Sequence, residues 1–396
     1  MVYNYQKPEV LRKFLSQKTG RAMDPRMEDI LICPITHERL RALNRDELGQ
    51  VNARIAKGDL FFYEGRPVTR EIQAGYASAN GKFAYAVEDG IINLLADSAL
   101  ALEGESRPQE KGAGLRAEKQ AVQNFYDRVG WQKGEQGRYV DTIRFTDPRP
   151  LVQDYYRRCH LRMGRYLKAQ GAYFLDVASG PIPDAWSLAL SQDFAFRICV
   201  DLSRRALQEA QAKLGERGIY LLADITNLPI RDDAMDALIS LHTIYHVPAD
   251  EQGRAFAELY RVLKPGSSAV VVYSWGDQVL PMKVLQGLKF ILVKGPRTLF
   301  QGIWRKIRHL PPPDARPDPE PALYFHAQGR SWFNRSNLDF DFTILGYQSL
   351  NTRLLQTLIR PALGGAQLLN LIFYLEGAFP RLSGRFGQYP MILMTK

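Results

Sequence analysis

Tyr173-Phe-Leu-Asp-Val-Ala-Ser-Gly-Pro-Ile182 decides the fold of this chain. It predicts a buried strand that ends in an acid and runs into a tight turn of small residues. About twenty residues further on, Arg197-Ile-Cys-Val-Asp201-Leu-Ser predicts a second apolar strand, again closed by an acid. A strand, a small-residue turn, a helix, a strand and a terminal acid make the nucleotide-binding half of a doubly wound sheet. The turn lets backbone approach a ligand, and the second acid can accept both hydroxyls of a ribose. A dinucleotide site wants G-x-G-x-x-G, so that a pyrophosphate sits on a helix N-terminus. Asp176 stands at that strand end; a carboxylate there repels a pyrophosphate and suits a ligand with an amino group.

The order continues downstream. Tyr220-Leu-Leu-Ala-Asp224-Ile-Thr-Asn-Leu-Pro-Ile predicts a third strand with an acid at its end, and Asp236-Ala-Leu-Ile-Ser-Leu-His242 a fourth. Ala255 to Gly266 predicts a helix closed by Pro-Gly, and Ser268-Ala-Val-Val-Val-Tyr273 a fifth strand. Phe342–Leu350 and Tyr389–Thr395 supply the sixth and last strands, with an apolar, helical stretch from Leu354 to Leu382 between them.

From about residue 120 to 275 these motifs resemble the class I S-adenosylmethionine (SAM) dependent methyltransferases, especially the ubiquinone-biosynthesis type. Leu-Asp-Val-Ala-Ser-Gly is similar to their first motif, Val-Asp-Leu-Ser to the ribose-binding strand end, and Ala-Asp-Ile-Thr-Asn-Leu-Pro-Ile to the adenine-binding turn. The resemblance implies a seven-stranded, Rossmann-like α/β sheet and SAM as cofactor. It implies cofactor contacts from Asp176, Ala178, Gly180, Asp201, Leu202, Asp224, Ile225 and Leu241. The chain departs from the family's Gly-x-Gly-x-Gly turn, holding Ala178, Gly180 and Ile182 there. Alanine takes positive φ at a cost, and isoleucine adds bulk.

Residues 1–100 are expected to form a small α+β domain, 101–115 a polar linker, and 116–396 the catalytic domain with a cap at about 277–340. The first piece runs from Ile30-Leu-Ile-Cys33-Pro-Ile-Thr36 to Lys82-Phe-Ala-Tyr-Ala-Val-Glu-Asp-Gly90-Ile-Ile-Asn-Leu-Leu95. It resembles the zinc-ribbon-like domain of the Trm-one-one-two type, whose zinc-binding members open with Cys-Pro-x-Cys. Only Cys33 matches, with Thr36 in place of its mate. One thiolate cannot hold a tetrahedral zinc, so the expectation is a metal-free domain. In the catalytic domain a leading helix from Ala117 to Trp131 carries Phe125, Tyr126 and Trp131, either as a cover over cofactor and acceptor or as core.

A phenol or hydroxyl acceptor gains from a general base. Of six histidines, His242 and His246 follow the fourth strand, where the catalytic face lies, and His326 and Tyr245 are alternatives. The net charge is +10, and no acid stands between Asp277 and Asp314, where seven basic residues interleave with apolar ones. That segment, 281–310, reads as an acceptor-site cap or a peripheral membrane contact. No recognisable RNA-binding module accompanies the charge. Three scattered cysteines and the lack of an apolar leader or long apolar run point to a cytoplasmic protein, with a peripheral place at the membrane as the alternative. The function expected is O- or C-methylation of a small hydrophobic metabolite, with RNA or protein methylation and a non-catalytic SAM-binding scaffold as alternatives.

Overall fold

A computed structural model describes residues 27–103, 115–134, 137–276, 323–336 and 338–396. The basic segment 281–310 and most of the linker and cap lie outside them. Among the described residues thirteen strands form one sheet.

Six belong to the N-terminal module: β1 (Leu40–Ala42), β2 (Phe61–Phe62), β3 (Ala74–Ser78), β4 (Phe83–Glu88), β5 (Ile91–Asn93) and β6 (Leu100–Ala101). One helix, α1 (Arg45–Lys57), packs on them through Val51 and Ile55. Its ends are written in the sequence: Asn44 and Glu47 form a reciprocal capping box, and Gly58 closes it at φ 74°. Asp89 and Gly90 both take positive φ between β4 and β5, as a two-residue hairpin of this twist requires.

Seven strands make the second half: β7 (Gly171–Val177), β8 (Phe194–Asp201), β9 (Gly218–Leu222), β10 (Met235–Leu241), β11 (Leu263–Val272), β12 (Phe342–Gln348) and β13 (Tyr389–Thr395). Their spatial order is β9-β8-β7-β10-β11-β13-β12. The first five run parallel, and β13 inserts antiparallel between β11 and β12. This is the doubly wound α/β sheet expected. The order reverses at β7, so a crevice opens beyond its carboxyl end.

The helices of this half are α2 (Ala117–Phe125), α3 (Val140–Phe145), α4 (Pro150–Arg162), α5 (Arg204–Leu214), α6 (Gln252–Arg261), α7 (Arg330–Arg335), α8 (Thr352–Leu358), α9 (Gly365–Ala378) and α10 (Pro380–Phe386). The leading helix expected through Trp131 is regular only to Phe125; Tyr126–Gly130 widen into a π turn, a distortion common at functional sites. The helical stretch 354–382 divides into three, broken where Pro361 and Pro380 remove backbone donors.

The boundary near residue 100 does not interrupt the sheet. β5 pairs in parallel with β9, with Ile91 opposite Tyr220 and Asn93 opposite Leu222. The two pieces read as separate from sequence therefore share one hydrogen-bonded layer.

A buried polar lock fastens α9. Glu376, 2% exposed, accepts from Arg162 at 3.2 Å, from the Tyr155 hydroxyl at 2.6 Å and from the Ser349 amide at 2.7 Å. Removing the carboxylate strands a buried guanidinium. Glu376→Ala is expected to cost about 3–5 kcal/mol, seen as a lower urea midpoint at unchanged slope.

Candidate active site

The turn after β7 takes the backbone path of a three-glycine turn with only one of the glycines. Ala178, Gly180 and Ile182 sit at φ 54°, 56° and 50°. Each left-handed L-residue costs about 1–2 kcal/mol, most awkwardly for a β-branched one. Compensation comes from packing and hydrogen bonds. The Ile182 side chain is buried against Cys199, Leu207 and Tyr220. Lys213 Nζ donates to the carbonyls of Pro181 at 2.6 Å and Ile182 at 2.7 Å. Ala178→Gly is expected to stabilise the protein by about 1 kcal/mol, measured as a higher melting temperature.

Gly180 is needed for space as well as for φ: a Cβ there would lie 3.1 Å from Trp131 Cζ2. Its amide donates to Asp201 Oδ2 at 2.9 Å, while Asp201 Oδ1 accepts from the Ser203 amide at 2.8 Å. Burial pushes the Asp201 carboxyl up to about 6, against the pull of these two amides.

Asp176 fits its expected role less well. It is 3% exposed, and its Oδ2 accepts from Arg197 at 2.5 and 3.1 Å. Arg197 lies on β8, one strand over, and also reaches Ser187 O and Ser191 Oγ. The pair neutralises a charge that β7 and β8 would otherwise bury alone. Its Oδ2 is thus engaged within the fold by Arg197.

The leading helix reads the strand ends with one polar stripe. Lys119, Gln123 and Asp127 recur at four-residue spacing, so they share a face. Lys119 Nζ lies 2.5 Å from Asp224 Oδ2, 2.5 Å from Glu251 Oε2 and 2.7 Å from Thr226 Oγ1. Gln123 donates to Leu202 O at 2.8 Å, and Asp127 accepts from Ser203 Oγ at 2.5 Å. Arg116 adds an outer clip to Asp250 and Glu251. Asp224 and its neighbour Ile225 thus sit in a turn held shut by Lys119, with the Thr226 amide on Asp224 Oδ1. None of these helix residues was anticipated; the spacing of three polar residues beside the aromatic pair was the signal available.

Over the turn, Trp131 stacks on Tyr126 with centroids 4.8 Å apart. The indole Nε1 is buried without a hydrogen-bond partner. A lone buried donor at the mouth of a backbone turn marks a place for an acceptor atom.

Beyond β10, the Leu241 carbonyl accepts from Thr243 Oγ1 at 3.1 Å, and His242 takes φ 59°. The His242 ring stands edge-on to Tyr389, Tyr347 and Tyr245. His246 Nδ1 lies 2.7 Å from the carbonyl of Tyr324. It therefore carries the proton and donates, leaving Nε2 as acceptor. Burial lowers both imidazoles to about 4, so both are neutral at pH 7. Tyr245 is buried beside Tyr273, Phe325 and both histidines, and its hydroxyl is held well above its usual range by burial. His326 is exposed and anchored through its backbone to Tyr245 O at 2.7 Å. The histidines and tyrosines named in the sequence thus meet in one aromatic chamber, His326 at its rim.

Asp141, in the first turn of α3, was missed; burial raises its carboxyl to about 6. In the sequence Val-Asp-Thr has no distinguishing pattern; only the tertiary fold makes this acid unusual.

Residues 175–271 match the family described as "Methyltransferase domain". The match covers about a quarter of the chain. A "Sterol methyltransferase-like 3" of Botryococcus braunii is 36% identical over 101 residues, 24% of this chain and 25% of the relative. The "Ubiquinone/menaquinone biosynthesis C-methyltransferase UbiE" of Desulfotalea psychrophila is 33% identical over 97 residues, 24% of this chain and 39% of the relative. The chain thus spans a quarter to two-fifths of the length of these curated relatives. Among solved structures, a "DhpI-SAM-HEP complex" aligns with TM-score 0.41 at 12% identity, over 71% of this chain and 99% of that one. A complex of the Haloferax volcanii Trm112 methyltransferase activator and a methyltransferase aligns with TM-score 0.36 at 13% identity, over 61% and 91%.

Proposed function

We propose that the chain is a SAM-dependent methyltransferase acting on a small, apolar acceptor by O- or C-methylation. The observation that carries this reading is the turn at 178–182 facing Asp201, inside the segment that matches the methyltransferase family. The residues present suit the cofactor. Asp201 offers a half-buried carboxylate to a ribose, Gly180 leaves no side chain in the way, and the unpartnered Trp131 Nε1 waits for an acceptor. Asp224, Ile225, Leu202 and Leu241 would line the adenine side and floor, and Ala178 the turn. Bound SAM supplies a methyl group on a sulfonium, already activated for transfer. The chain's own work is to exclude water and align the acceptor.

Tyr126, Tyr245 and Phe325 supply apolar walls for that task. For the proton, Asp141 is the better-tuned base. A base works best with a pKa near the operating pH, and its carboxyl at about 6 lies closer than imidazoles at about 4. His246, fixed by Tyr324, orients an acceptor hydroxyl through Nε2, with His242 beside it. The sterol- and quinone-related relatives agree with an apolar acceptor.

We further assign residues 27–103 a structural role as the module that covers β9. Cys33 suits this role: it is buried and hydrogen-bonded to the Tyr85 hydroxyl at 3.1 Å. The resemblance to the Trm-one-one-two type belongs to this proposal.

Calorimetric titration with SAM and with S-adenosylhomocysteine tests the central claim. Micromolar binding of both is expected. Failure of both to bind would mean that the strained turn no longer admits the cofactor.

A further inference from the structure

Helix α9 breaks the usual rule for a surface helix. Its inner face packs through Leu369, Ile372 and Phe373 and the locked Glu376. A water-facing outer side should then be polar. Instead Leu371, Tyr374 and Leu375 are 52%, 68% and 42% exposed. The run continues on α10 and the residue before it, where Phe379, Leu382 and Phe386 are also exposed. Isolated exposed apolar residues need no explanation, but a continuous set on consecutive helices does.

The charge around this ridge has one sign. From residue 352 to 388 the chain has four arginines, Arg353, Arg360, Arg381 and Arg385, and a single acid, Glu376. That acid is buried and paired with Arg162. The nearest acid on α4, Asp154, is taken by Arg157 and Arg158. Arg360, Arg381 and Arg385 are exposed. Among the described residues no helix is long and apolar enough to cross a membrane. An apolar ridge with arginines beside it and no free acid is the pattern of a helix lying in a lipid interface.

We propose that α9 and α10 form a docking surface for an anionic membrane. The ridge enters the acyl boundary, and Arg360, Arg381 and Arg385 meet anionic headgroups. A second copy of the chain would carry the same positive surface, so pairing like with like opposes itself. The surface also adjoins the chamber. Arg162, which holds Glu376, donates to Tyr347 O at 2.6 Å, and the Tyr347 ring lies 5.8 Å from His242. An acceptor dissolved in the bilayer would meet the protein on this side.

The test is co-sedimentation of the full chain with phosphatidylcholine vesicles, with and without phosphatidylglycerol. Binding is expected only to the anionic vesicles and is expected to weaken with salt. The triple variant Leu371→Ser/Tyr374→Ser/Leu382→Ser is expected to lose at least about tenfold in vesicle affinity. Arg381→Gln and Arg385→Gln are each expected to lose about fivefold. All these variants should keep the wild-type melting temperature and SAM binding, so failure here is separable from failure of the methyltransferase reading. Three results would overturn the proposal. One is no preference for anionic vesicles. Another is a wild-type dimer that the triple variant converts to monomer. The third is a lowered melting temperature in the triple variant, which would show the ridge covered within the chain.

Discussion

Asp201→Asn is expected to weaken SAM binding by roughly 100- to 1,000-fold. Two hydrogen bonds from ligand hydroxyls to a charged group are each worth about 1.5–3 kcal/mol. Both Asp201 oxygens already accept from amides, Gly180 N and Ser203 N. Whichever way an asparagine side chain turns, its NH2 faces an N–H donor, so the amide cannot simply stand in for the carboxylate. The turn itself should loosen as well. The pH dependence gives an independent readout. The Asp201 carboxyl sits at about 6 in the folded protein, above its usual 3.8. Its contribution to stability is therefore full below 3.8 and lost as pH rises through about 6. The ligand favours the ionised form. SAM affinity of the wild type should thus fall as pH drops through about 6, and that dependence should vanish in Asp201→Asn. Calorimetry across the pH range reads both effects. A variant that binds within a few-fold of wild type would remove Asp201 from the cofactor site.

Asp141→Asn carries the second large effect. Loss of a general base lowers kcat by roughly 10²–10⁴-fold. SAM affinity is expected to stay the same, as it should for a group that takes the acceptor's proton and does not hold the cofactor. The wild-type rate should rise with pH through about 6, where this carboxyl ionises, and the variant should lose that limb. The two histidines predict something different. A base at about 4 would already be free over the whole neutral range, leaving the rate flat there. The pH profile of kcat therefore distinguishes Asp141 from His246 and His242. A variant with near-wild-type kcat would pass the role back to the imidazoles.

What the sequence revealed and what it hid divide along a physical line. Strand ends, the small-residue turn and the helix caps are local, set by backbone geometry over a few residues. Asp176-Val-Ala-Ser-Gly180 and Asp201 could be placed for that reason, and so could Gly58 and the Asp89-Gly90 hairpin. Partners across the fold could not. Lys119 meets Asp224 over 105 residues, and Arg197 meets Asp176 over 21. Arg197 left a clue, a lone cation in an otherwise apolar strand, which must find a counter-charge if buried. Asp141 left none, since its unusual carboxyl arises only when the fold buries it. The positive φ of Ile182 was hidden for the opposite reason. Local preference forbids it, and packing against β8, β9 and α5 imposes it.

The parallel pairing of β5 with β9 also has a consequence for how the protein is made. On a ribosome, β5 emerges more than a hundred residues before the strand it must join, so its pairing waits on synthesis of β7, β8 and β9. Until then Ile91 and Ile92 have no partner on that side. The converse holds for a chain deprived of residues 27–103. Its sheet would end on Ile219-Tyr220-Leu221-Leu222, an uncovered apolar strand with a free row of backbone groups, inviting aggregation. In the full chain β5 occupies that edge.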